Sequence, residues 1–148
     1  MEYTDARIVK LREYLMGIID TLVSDRNYQI NANMLSNKIG DYSLDKIPTD
    51  QEVEQWVIGP AIHRDVFSFR SRKKYFQKAI DNLKNIGFFE AFEKIILTKN
   101  ENKELPDIEG IETIECLNSG TMVQNDDGQT CEFDIQIQIT YREVIWNK

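Results

Sequence analysis

Residues 131 to 142, Cys131-Glu132-Phe133-Asp134-Ile135-Gln136-Ile137-Gln138-Ile139-Thr140-Tyr141-Arg142, end in an unbroken alternation of apolar and polar side chains. Successive side chains of a strand point to opposite faces. Phe133, Ile135, Ile137, Ile139 and Tyr141 therefore share one face, and Asp134, Gln136, Gln138, Thr140 and Arg142 the other. Burying five such side chains is worth roughly 1.5–3 kcal/mol each before conformational entropy is charged, and a lone hairpin has no surface to bury them against. Helices elsewhere in the chain are the available cover. The pattern predicts an α+β fold, an antiparallel sheet built from hairpins with helices packed on one face.

Working outward, the strand belongs to a C-terminal hairpin over about 111–142, with Asn125-Asp126-Asp127-Gly128 as its loop, since Asp-Gly is a preferred turn pair. Opposed residues then add to about 253, which sets Cys116 opposite Ile137 and Cys131 opposite Met122. The two cysteines do not face each other, so no disulfide is expected. Near the N-terminus, Ile8, Leu11, Leu15, Ile18, Ile19 and Leu22 follow the spacing of an amphipathic helix over about 4–24, with Thr4 or Asp5 as N-cap. Tyr42 to Ile47 alternates weakly and is stopped by Pro48, as in a short edge strand. A second hairpin is expected over about 52–70, turning at Gly59-Pro60-Ala61-Ile62. Ser71 then caps a helix that ends at Gly87, a second helix follows from Phe88 or Phe89, and together they span about 72–98. Thr98 to Gly110 reads as an exposed connection. No repeat or composition break divides the chain, so its 148 residues form a single domain.

The net charge of −7 argues against general affinity for nucleic acid. It is unevenly placed along the chain. Between Arg64 and Lys84, seven cations stand against Asp65 and Asp81, a net of +5 that leaves −12 for the remainder. No apolar run is long enough for a membrane span, and the first residues lack the layout of a signal peptide, so the expected compartment is the cytoplasm.

Chemistry is hard to assemble from these residues. His63 is the single histidine, placed at the start of a strand with no marked nucleophile beside it. One histidine and two separated cysteines make a poor metal set, and Asn125-Asp126-Asp127-Gly128 lacks the distal glutamate of a calcium loop. Asp107, Glu112 and Glu115 resemble a metal-dependent nuclease strand only faintly, because Leu117 stands where a lysine is expected. The reading is of a protein without catalytic residues, cofactor or metal, with a small nuclease or hydrolase using Asp107, Glu112, Glu115 or His63 as the rival.

Several stretches carry a family likeness: Phe67-Ser-Phe-Arg-Ser-Arg72, Asp81-Asn-Leu-Lys-Asn-Ile-Gly-Phe-Phe-Glu-Ala-Phe92, Leu105-Pro106, Ser119-Gly120 and Ile135-Gln-Ile-Gln-Ile-Thr-Tyr141. Through them the chain, from about 42 to 143, resembles small phage and prophage proteins of Gram-positive hosts, labelled minor capsid proteins or tail terminators. The resemblance implies a non-enzymatic α+β subunit of the virion tail or neck, assembled in the host cytoplasm. It would form a ring, a hexamer, with copies of itself, cap the tail tube protein and give head connector proteins a docking surface. Neither membrane nor direct nucleic-acid binding is implied, and a head-closure protein is the nearest alternative. In such a ring each interface joins two different patches. On this reading Arg70, Arg72, Lys74 and Lys78 form one side of the subunit interface, with Lys74 and Lys78 on one helical face. The loop bearing Ser119, Gly120, Asn125, Asp126 and Asp127 touches the tube or lines the ring.

Overall fold

The computed structural model describes residues 6–24, 27–32, 34–36, 38–48, 52–54, 62–74, 79–118, 120–125 and 130–142. The alternating stretch forms β7 (Thr130–Arg142), which lies antiparallel to β4 (Ile62–Lys74) in one unbroken register from Ile62↔Arg142 to Lys74↔Thr130. On the far side of β4 lie β2 (Tyr42–Ile47), then β1 (Ile30–Asn31), while β3 (Glu52–Glu54) pairs with the start of β4. On the far side of β7, β5 (Ile111–Cys116) and β6 (Thr121–Asn125) pair with it one after the other. The path across the sheet is β1-β2-β4-β7-β5, and every pair is antiparallel except β1 with β2.

Two helices, α1 (Arg7–Leu22) and α2 (Ala79–Glu101), cover one face, so the α+β architecture is the one the alternation demands. Leu11, Leu15, Ile18 and Ile19 of α1 and Phe92 and Ile96 of α2 share a core with Tyr42, Leu44, Phe67, Phe69, Ile114, Ile135, Ile137 and Ile139. Phe69 is held between two rings, Tyr42 at 5.2 Å and Phe92 at 5.4 Å, both nearly parallel to it. Among the described residues no helix is long and apolar enough to cross a membrane.

Several boundaries differ from expectation. Ser71 does not cap a helix. It is a fully buried strand residue opposite Tyr42 and Phe133, and β4 continues through Arg72, Lys73 and Lys74 because β7 supplies a partner at every step. Pairing across the sheet overrides the local helix signal of Ser-Arg-Lys-Lys. The two helices expected over about 72–98 are one, beginning at Ala79 and running through Gly87. A mid-helix glycine costs about 1 kcal/mol against alanine, and the buried Phe89 and Phe92 just beyond it outweigh that. The left-handed residue that ends the helix is Lys103, with φ 58°, where the Glu104 N–H donates back to the Lys99 carbonyl at 2.8 Å. The following connection is not wholly exposed either, since Pro106 and Ile108 are buried.

The short strand expected over 42–47 is at the edge for most of its length, since β1 pairs only with Tyr42 and Ser43 and, among the described residues, no strand pairs with Leu44–Ile47 on that side. Asp41, 4% exposed, organises that approach by accepting from the Gln29 N–H at 3.0 Å and the Ser36 hydroxyl at 2.7 Å. Thr4 and Asp5, the expected caps of α1, lie outside the described residues, and Ala6 at the N-cap position makes no side-chain cap bond. The tip of the 52–70 hairpin, residues 55–61, also lies outside them.

Candidate functional site

The polar face of the sheet carries the first set of expected site residues. Alternation along β4 sends Ser68, Arg70 and Arg72 away from the helices, beside Ser43 and Asp45 of β2 and Glu132 and Asp134 of β7. Arg70 reaches Asp45 at 2.8 Å and Glu132 at 3.1 Å, one carboxylate from each neighbouring strand. Arg72 is 8% exposed, and its Nε donates to the Ser36 carbonyl at 2.7 Å. Both guanidiniums thus bind within the chain, and the sequence's cationic run does not become a free basic patch at these two positions. Lys74 is the last residue of β4, opposite Thr130, so it does not share a helical face with Lys78, which lies outside the described residues.

The second set lies at the joint between β5 and β6. Cys116 stands opposite Ile137, in the register expected from the turn, but Thr121 stands opposite Asp134, so the β5–β6 side holds two extra residues. A further shift follows Met122, which leaves Cys131 opposite Asn125 and not Met122. At the joint the Leu117 N–H donates to the Gln136 carbonyl at 2.9 Å, and the Asn118 side-chain oxygen accepts from the Gln136 N–H at 2.7 Å, which keeps the ladder satisfied across the interruption. Gly120 is buried here. An added Cβ would sit 2.5 Å from Cγ of Phe89, so Gly120 is a packing position and not an exposed contact. Asn125 ends β6, while Ser119, Asp126 and Asp127 lie outside the described residues.

The residues of the rival enzymatic reading each make a different contact. Asp107 is almost fully exposed near Lys10, Glu112 accepts from Arg142 at 3.0 Å, and Glu115 accepts from Gln138 at 2.8 Å. His63 stacks on Tyr141, with ring centroids 5.7 Å apart. Among the described residues, no three His, Cys, Asp or Glu side chains group in a way that could hold a metal ion. Cys116 and Cys131 form no disulfide, and burial pushes the Cys116 thiol up to about 12, which keeps it protonated near neutral pH.

One unusual group was not anticipated. Lys73 points to the helix side of β4, with its Nζ 3.7 Å from the Phe88 ring centroid and 3.2 Å from the Tyr42 hydroxyl. The ring faces attract the cation, but burial outweighs them and lowers its pKa to about 8. Alternation along β4 carried this signal, since Lys73 shares the parity of Phe67 and Phe69. Between about pH 8 and the ordinary lysine value, the unfolded chain alone holds this proton, so stability rises with pH by about 1.4 kcal/mol per unit. Cys116 acts oppositely above pH 9, where the unfolded thiol ionises and the folded one does not, and the tyrosines Tyr14 and Tyr42, also raised by burial, do so above pH 10. Wild type should therefore gain about 1 kcal/mol from pH 8 to 9 and then level off. Lys73→Met should lack that gain, and urea titrations of the two proteins at matched pH isolate it. Parallel pH profiles would show that Lys73 keeps its ordinary pKa in the fold.

Comparison with protein-family models gives no match to this chain, and comparison with curated proteins gives none either.

Proposed function

We propose that the chain is a non-enzymatic structural protein of a phage particle, a tail terminator. A ring of its copies would cap the completed tail tube and present the surface to which head connector proteins join. The observation that carries this reading is that the stretches bearing the family resemblance pack on one another. Phe69 of the Phe-x-Phe strand stacks on Phe92 of the helix. Phe89, three residues earlier on that helix, lies against Gly120 and stacks on Phe133 at 5.1 Å. Leu105, of the Leu-Pro pair, packs against the core to which Ile135, Ile137 and Ile139 belong. The stretches that carry the resemblance thus supply much of one core, as the signature of a shared fold would.

Electron microscopy of phage lysate from a host in which this gene is silenced tests the proposal. Abnormally long headless tails beside filled heads are expected, because nothing stops tube growth or offers a joining surface. Tails of normal length beside leaking, unjoined heads would move the assignment to head closure. Intact infectious particles would remove the protein from virion assembly altogether.

A further inference from the structure

Helix α2 is apolar on both sides, and among the described residues only one side is used. Phe89, Phe92 and Ile96 face the sheet, while Leu83, Ile86 and Leu97 stand 58%, 47% and 59% exposed on the opposite side. At 100° per residue, Leu83, Ile86, Gly87, Glu90, Lys94 and Leu97 fall in one stripe along the helix. Glu90 and Lys94 pair across its middle at 3.5 Å, both largely exposed. Gly87 adds no side chain, and a Cβ built there meets nothing within 4 Å.

We propose that this stripe binds the same stripe of a second copy, with the two α2 helices antiparallel about a two-fold axis level with residue 92. In that register Leu97 of each copy enters the hole formed by Leu83, Ile86, Gly87 and Glu90 of the other, with Gly87 as its floor. These are the i, i+3, i+4 and i+7 positions that receive a knob in helix packing. Glu90 then faces the other copy's Lys94, and the symmetry repeats the contact, so charge complements charge twice. The competing arrangements fail on the same residues. Sliding the helices to place Leu83 against Leu97 sets Glu90 against Glu90, and a parallel pair sets Glu90 against Glu90 and Lys94 against Lys94.

One helix face is smaller than the ~800 Å² per partner of a standard interface, so the pairing is expected to be weak. This goes beyond the tail-terminator reading. A two-fold pair is a different contact from the heterologous one of a cyclic ring, and it belongs to subunits off the particle.

Sedimentation velocity of the full chain from micromolar to millimolar concentration tests it, with variants at exposed positions that leave the core untouched. The chain should pass from monomer to dimer. Glu90→Lys and Lys94→Glu should each weaken the dimer by about tenfold, and the double reversal should restore it, because the reversed charges again face each other. Gly87→Ala should raise the melting temperature of the monomer, as a better helix former, while loosening the dimer by filling its notch. A chain that stays monomeric throughout overturns the proposal. So does a dimer indifferent to both reversals, or one that the double reversal fails to restore. None of these results bears on the appearance of tails and heads in the silenced lysate.

Discussion

Alanine at position 120 is expected to destabilise the protein by about 2–3 kcal/mol, although it adds a single methyl group. The new Cβ would lie 2.5, 2.6 and 2.8 Å from Cγ, Cβ and Cδ1 of Phe89. Those atoms are the root of the side chain and not its mobile end, so a change of rotamer cannot clear them cheaply. Phe89 is itself held from other sides, by Phe133 at 5.1 Å and by Phe88 edge-on at 5.2 Å. Either α2 lifts from the sheet or the β5–β6 joint moves outward, and the second change disturbs the bonds of Leu117 and Asn118 to Gln136. Urea unfolding of Gly120→Ala measures the cost. Combining it with Phe89→Leu should give a loss well below the sum of the two, since the smaller side chain leaves room for the methyl. A Gly120→Ala protein within about 0.5 kcal/mol of wild type would mean that the joint yields without strain.

Asp65→Ala should cost a similar amount through a different physics. Asp65 is 1% exposed and sits where four elements meet. It accepts from Arg7 Nε of α1 at 2.7 Å and from the Tyr141 hydroxyl of β7 at 3.2 Å, with Lys46 of β2 3.5 Å away. Arg7 also lies over the Tyr141 ring at 4.3 Å. Removing one member of a fully buried pair costs about 3–5 kcal/mol. Here Arg7 and Lys46 are 39% and 44% exposed and can turn to water, so the expected loss is about 2–3 kcal/mol. The part that cannot be recovered is the buried Tyr141 hydroxyl. Burial, and after it the Asp65 charge, raises its pKa and keeps it a donor. Tyr141→Phe should therefore cost little on its own, about 1 kcal/mol, and should reduce the further effect of Asp65→Ala. If Asp65→Ala unfolds at the wild-type urea concentration, this cluster does not fasten α1 to the sheet.

What the sequence made legible follows from where period and partner agree. The alternation of β7 named its buried face residue by residue, and Leu11, Leu15, Ile18 and Ile19 are the buried positions of α1, as their spacing requires. The turn arithmetic set Cys116 opposite Ile137 correctly. It failed beyond that point because an interruption held open by Asn118 and packed under Phe89 has no periodic signature. The helix boundaries failed for another reason. With Leu83, Ile86 and Leu97 outward and Phe89, Phe92 and Ile96 inward, α2 shows no single apolar face by which its extent could be judged. Ser71 and Arg72 look like a helix start until β7 is seen to pair with them. The charge run gave no sign of the pairing at Arg70, whose carboxylate partners Asp45 and Glu132 are distant in sequence and are brought to it by the sheet.

The long ladder between β4 and β7 also governs when this protein can fold. Phe67 finds Ile137 and Ser71 finds Phe133 only after more than sixty intervening residues have been made. Until β7 leaves the ribosome, β4 lacks its longest neighbour, and the aromatic side of α2 has only part of the surface it will cover. The contacts are mostly non-local, the pattern of slow two-state folders. Synthesis that stalls before Thr130 leaves Phe67, Phe69, Phe89 and Phe92 without the strand that closes over them, a chain prone to aggregate and a natural client for chaperones.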